Sequence, residues 1–172
     1  MGGKYGGGGC AMKHVGPYVF TVAKYVVLML TAGYIALLLL FAGVSRKSFD
    51  EVSAAVSSAV DTNNLSGQDS QAFKRNFGLN SSEYSGVLYY ASASGISAEE
   101  VLLIQVADSS QISQVTDALE EHVESRQQIF EGYAPEQARL LESARQSVRG
   151  SYIFFAVSEN ADRYMEAFAG SL

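Results

Sequence analysis

Cysteine is almost absent from this chain: Cys10 is the only one in 172 residues. A lone cysteine excludes an intramolecular disulfide and any cysteine-built zinc site. Beyond residue 10 it also excludes thiol catalysis. Histidine is nearly as scarce, with His14 near the N-terminus and His122 alone thereafter. Acidic residues are missing from the first 49 positions; all 18 follow, beginning with Asp50 and Glu51. Only seven bases accompany them (Lys74, Arg75, Arg126, Arg139, Arg145, Arg149, Arg163), so residues 50–172 carry −11 and residues 1–47 carry +5. A surface so acidic excludes nucleic acid, which requires a basic face. It is repelled by anionic headgroups and suits a basic partner protein or wall polymer.

Charge is absent altogether from Tyr25 to Val44, which reads YVVLMLTAGYIALLLLFAGV. As a helix rising ~1.5 Å per residue, such a run matches a hydrocarbon core ~30 Å thick. A buried soluble helix would show a polar stripe, and this run has none. Residues 25–44 are therefore expected to be a transmembrane helix through which the protein contacts the lipid bilayer. A removable signal peptide is the competing reading. Signal h-regions are shorter, ~7–15 apolar residues, and end in a small-x-small site. Gly43-Val44-Ser45 is a weak match to such a site, while the length of the run and the 24 residues before it favour an uncleaved signal anchor. Lys4, Lys13 and Lys24 precede the run, and Arg46 and Lys47 follow it. The positive-inside rule then places the N-terminus in the cytoplasm and the acidic part outside the cell membrane. Gly33, Ala36 and Gly43 are small enough for helix association, but the run lacks Gly-x-x-x-Gly.

The opening MGGKYGGGG is glycine-rich low complexity, so residues 1–24 are expected to form a disordered tail. Cys10 beside the membrane is a site for acylation or a bystander thiol, and the second is the more frequent case. After the anchor, residues 48–172 are expected to form one extracytoplasmic α+β domain. Ser48 with Glu51 has capping-box spacing, followed by Phe49, Val52, Val56 and Val60 at helical intervals. Asp61 to Gly67 is a turn cluster, and Asp69 to Phe77 a short helix closed by Gly78. Tyr84–Ala91 and Val101–Val106 predict a strand hairpin. A long helix runs from Asp108 to Glu131 with Ile112, Val115, Leu119, Val123 and Phe130 on one face. YIFFAV (Tyr152–Val157) predicts a central strand, and Ser158 caps a last helix. The predicted order is ααββααβα, with helices packed on a three-stranded, mainly antiparallel sheet.

Between the third and fourth of those domain helices stands FEGYAPEQARLLESA (Phe130–Ala144). Gly132 is expected in the left-handed conformation that closes a helix, with Tyr133 against its last turn. Pro135 suits the first position of the next helix, which Leu140, Leu141 and Val148 would bury. Gly132 and Pro135 thus read as structural residues of a helix joint. This stretch, with GSYIFFAVSENAD (Gly150–Asp162), resembles a bacterial family of membrane-anchored proteins and lipoproteins catalogued only as a domain of unknown function. The resemblance covers about the last 120 residues, roughly one ordinary domain. It implies an extracytoplasmic location and brings no catalytic residues.

Motifs with chemistry are few. Asp61–Asp69 suggests a calcium loop, but Leu65, Ser66 and Ala72 occupy the fifth, sixth and twelfth places, where an EF-hand needs oxygen, glycine and glutamate. No metal site or cofactor is expected. His122 reads as a partly exposed helix histidine, since neither Gly-x-Ser-x-Gly nor Ser-x-x-Lys accompanies it. Glu120, Glu121 and Glu124 read as a solvated helix face. Tyr89 and Tyr90, adjacent on a strand, point to opposite faces. With Tyr133 they are the candidate contacts for a partner protein or glycan, on a sheet that helices leave partly uncovered. Two functions fit. The first is a membrane-anchored, non-enzymatic binding or scaffolding domain at the cell surface. The alternative is a carboxylate-dependent envelope hydrolase acting on wall polymer or glycan, which needs two convergent carboxylates. No catalytic residue is assigned.

Overall fold

The structure, a computed structural model, describes residues 2–3, 24–35 and 47–172. The chain divides into two units, Met1–Ser45 and Arg46–Leu172, each described by itself. In the first, residues 24–35 form helix α1, exposed along its length. Residues 36–44 of the expected transmembrane helix, most of the expected tail and Cys10 lie outside the described residues. Among the described residues no helix is long and apolar enough to cross a membrane.

The second unit runs α2 (Phe49–Ala59), β1 (Leu65–Gly67), α3 (Ser70–Phe77), a 3-10 turn (Ser81–Glu83), β2 (Gly86–Ser92), β3 (Glu100–Gln105), α4 (Gln111–Glu131), α5 (Pro135–Glu142), β4 (Arg145–Arg149), β5 (Tyr152–Val157) and α6 (Ala161–Gly170). It is an α+β domain, as expected. The sheet, however, has five strands rather than three, in the order β1-β2-β3-β5-β4 and antiparallel throughout. Both unexpected strands lie at the edges. β1 has three residues inside a polar turn cluster, too few for any alternation to show. β4, Arg145-Gln146-Ser147-Val148-Arg149, is exposed on both sides, so no apolar face marks it. Its sequence extends the helical spacing of Leu140 and Leu141, which is why periodicity assigns Val148 to a helix; it is 42% exposed in β4. A two-residue connection, Gly150-Ser151, turns β4 into β5, with Gly150 at φ +59°.

Local signals set most boundaries. Ser48 and Glu51 form the reciprocal capping box of α2. The Asp69 carboxylate accepts the Ala72 N–H at 2.8 Å to start α3, and Gly78 closes it at φ +69°. Pro135 is the first residue of α5. Gly132 departs from expectation: at φ −76°, ψ −22° it is right-handed, and no glycine is required there. The chain breaks instead at Ala134, whose φ of −142° and ψ of 70° lie outside the helical region that Pro135 disfavours for its predecessor. Tyr133 does pack against the last turn, its ring tilted 45° to that of Phe130 with centroids 5.4 Å apart.

Residue parity distributes the core over both faces of the sheet. Leu102 and Ile104 of β3, and Ile153, Phe155 and Val157 of β5, meet α3, α4 and α5 through Phe73, Phe77, Leu119 and Leu141. Val101 and Leu103, with Tyr152, Phe154 and Ala156, meet α2 and α6 through Val52, Val56, Tyr164 and Phe168. Every residue of β5 is buried, as expected of an inner strand. On the second face Phe154 stacks on Phe168 with centroids 5.1 Å apart. Burial of a side chain of that size contributes about 1.5–3 kcal/mol.

Candidate functional site

The two-sided cover decides the fate of the tyrosines. Tyr89 and Tyr90 do point to opposite faces, but neither face is open. Tyr89 is 3% exposed within the α3–α4 layer. Tyr90 is half-buried against the α2–α6 layer, with its hydroxyl 3.4 Å from Ser57 Oγ. Of these three candidates only Tyr133 is exposed, at 55%.

Tyr89 belongs to a buried polar cluster that no sequence motif announces. Its hydroxyl donates to Glu100 Oε2 at 3.1 Å and accepts from Asn76 Nδ2 at 2.6 Å. Glu100 Oε1 lies 2.7 Å from His122 Nε2. His122 Nδ1 lies 2.9 Å from the Asn76 carbonyl oxygen. Glu100 is completely buried and His122 is 7% exposed, so the expectation of a partly exposed histidine is corrected. A carbonyl oxygen only accepts, so Nδ1 carries a proton. One further proton then lies between Nε2 and Oε1, on an imidazolium facing a carboxylate or on a carboxylic acid facing a neutral ring. Either way both ring nitrogens are engaged. The Phe77 ring packs 4.3 Å from the imidazole and closes the other side.

Two sequence signals point to this cluster in retrospect. Glu100 shares strand parity with Leu102 and Ile104, and His122 follows Leu119 by three residues on the buried stripe of α4. Val123, expected on that stripe, is only half-buried at its margin. Glu120, Glu121 and Glu124 are exposed, as a solvated face requires.

Burial, and next the charge of Glu100, hold the Tyr89 hydroxyl well above the usual phenol range. In the unfolded chain a tyrosine ionises near ~10, so above that pH the unfolded state binds fewer protons than the folded one. Stability from this residue is therefore intact below ~10 and falls above it, by up to ~1.4 kcal/mol per pH unit. We expect Tyr89→Phe to flatten the decline. Urea unfolding of both proteins between about pH 8 and 11 checks this; parallel declines would show that Tyr89 is not its source.

Above the cluster lies a cleft of about 510 Å³ between α3, α4 and the β2–β3 loop. That volume suits a small ligand. Its walls carry Arg75 and Asn76 from α3, Ser92, Ser94 and Ser97 from the loop, and Ser125, Arg126 and Ile129 from α4, with Tyr133 at the rim. Arg126 Nη2 donates to Ser97 O at 2.9 Å, and its guanidinium carbon sits 5.2 Å from the centre of the Phe130 ring. The buried Nε of Arg126 has no partner. Glu99, the one carboxylate among the cleft's lining residues, accepts the Ser158 hydroxyl at 2.8 Å. A second cleft, of about 500 Å³, lies against the Asp61–Asp69 loop, which fails the calcium motif, and is lined by Asp61, Asn63 and Arg163. There the Asp61 carboxylate caps its own turn, accepting from Asn63 and Asn64. Among the described residues no group of three or more His, Cys, Asp and Glu side chains is placed to hold a metal.

Fold and site together define a three-layer α/β/α domain with a cationic cleft over a buried Tyr–Glu–His cluster. The chain belongs to the family described as Domain of unknown function (DUF4358), which it matches over residues 58–158, more than half of its length. The cleft, the cluster and all five strands fall inside the matched segment. No curated protein and no solved structure matches the chain.

Proposed function

We propose that this is a single-pass, membrane-anchored protein whose Arg46–Leu172 unit is a non-enzymatic binding domain outside the cell. The observation that carries the binding reading is the His122 geometry. The one histidine at the cleft has both nitrogens engaged, by Glu100 and by Asn76 O, and so has no free lone pair with which to take a proton from a bound substrate. Neither described cleft brings two carboxylates together, as a carboxylate-dependent hydrolase requires. What remains is a formed, open cleft whose lining is mainly polar, with Ile129 and Tyr133 at an apolar rim.

The anchor rests on the uncharged run from Tyr25 to Val44, and the orientation on the charge asymmetry about it. The acidic outer surface suits a basic partner protein or wall polymer. Because Cys10 is the only cysteine, topology can be read directly. Intact cells are treated with a membrane-impermeant maleimide, comparing the natural chain with a Cys10→Ser/Thr62→Cys variant; Thr62 is exposed. Labelling of the variant alone is the expected result. Labelling of the natural chain alone would invert the topology and end the cell-surface reading.

A further inference from the structure

Arg126 is half-buried and its guanidinium is fixed before any ligand arrives, whereas Arg163, the other base held by a backbone carbonyl and an aromatic ring, is exposed. The Arg126 Nη2 donates to Ser97 O at 2.9 Å, and its guanidinium carbon lies over the Phe130 ring. Among the described residues this is its only hydrogen bond, although a guanidinium carries five N–H donors. All 18 carboxylates of the chain lie in the described region, yet none is within ion-pair distance of Arg126 or of Arg75 on the opposite wall. Glu99, the one acid of the cleft, is hydrogen-bonded to Ser158. Arginine only donates, so its complement must be an acceptor, and a planar anion matches its fork. Fixing such a side chain in advance also removes the entropy loss that normally opposes arginine-mediated binding.

We propose that this cleft binds a carboxylate-bearing organic ligand, with Arg126 taking the carboxylate and the Ile129–Tyr133 rim taking an apolar or aromatic body. Ile129 is 57% exposed and Tyr133 55%, large apolar surfaces that the fold itself does not cover. Two guanidinium groups against Glu99 leave a local charge near +1 within an acidic domain. That balance favours a monoanionic carboxylate over a dianionic phosphate ester. The inference rests on the cleft being a binding site, but not on the topology of the chain.

The chain has no tryptophan, so Tyr133→Trp gives a single fluorescent reporter at the rim. The full chain carrying it, purified in detergent, is titrated with benzoate, with benzamide as the neutral isostere and with phenyl phosphate as the dianion. Saturable benzoate binding is expected, with benzamide weaker by about tenfold or more, and Arg126→Gln lowering benzoate affinity by a similar factor. If Arg126→Gln disturbs the far-UV circular dichroism spectrum, Arg75→Gln on the exposed opposite wall replaces it, with an expected loss of about threefold. Equal binding of benzoate and benzamide would overturn carboxylate recognition while leaving a binding cleft in place. So would tighter binding of phenyl phosphate. Binding by none of the three, or an affinity for benzoate indifferent to both arginines, would overturn the inference outright.

Discussion

Replacing His122 with phenylalanine should destabilise the fold by about 3–5 kcal/mol, the range found when one member of a buried ion pair is removed. The substitution fills the space beside Phe77, so the loss is not one of volume. It leaves Glu100 fully buried with only the Tyr89 hydroxyl as a partner, and it orphans the Asn76 carbonyl at the end of α3. The pairing itself, by contrast, is expected to be worth little net, because both groups must be desolvated to make it. A Glu100→Met/His122→Phe double variant, apolar at both positions, should therefore recover at least half of the single variant's loss. Glu100→Gln should cost only about 1 kcal/mol, since an amide can still donate to His122 Nε2 and accept from Tyr89. Urea midpoints at unchanged m-value distinguish these cases. A double variant as unstable as His122→Phe would mean that the histidine acts through shape rather than through its partner.

Gly86→Ala should be the most disruptive single-methyl change in the domain, at about 3 kcal/mol, the upper end of ordinary overpacking. A Cβ at position 86 would lie 2.6 Å from Phe49 Cδ1 and closer still to Cγ and Cδ2. Those atoms are the base of the ring, held next to the backbone, so they cannot move aside as a long side chain's tip would. Phe49 opens α2, and its cap ties it in place: Ser48 and Glu51 hold the first turn by reciprocal hydrogen bonds. Either the start of α2 or the start of β2 must shift. A double-mutant cycle with Phe49→Ala tests the cause. Truncating the ring should be clearly unfavourable in the natural background and nearly neutral, or favourable, in the Gly86→Ala background, a coupling of at least about 1 kcal/mol. Simple additivity would show that the penalty comes from elsewhere in β2.

What the sequence determined by itself was local. Ser48 with Glu51, Asp69 with Gly78, and Pro135 placed helix ends, because the groups that satisfy a helix terminus lie within three or four residues of it. The apolar strands β3 and β5 were legible because burial on both faces leaves an unbroken run. The edge strands were not. Leu65–Gly67 is too short to show a period, and Arg145–Arg149 is solvated on both sides, so each is a strand only because β2 or β5 supplies hydrogen-bond partners.

The candidate site belonged to tertiary structure for a related reason. Asn76, Tyr89, Glu100 and His122 come from α3, β2, β3 and α4, and no fixed spacing joins them. Each alone had an ordinary surface explanation. Tyr89 became a core residue once helices covered both faces of the sheet, and Glu100 became tolerable inside only because His122 arrived opposite it. Arg126 likewise acquired its orientation from Ser97, on a loop 29 positions earlier in the chain. A buried polar group needs partners from wherever the fold can bring them, and that requirement leaves no periodic trace in a single sequence.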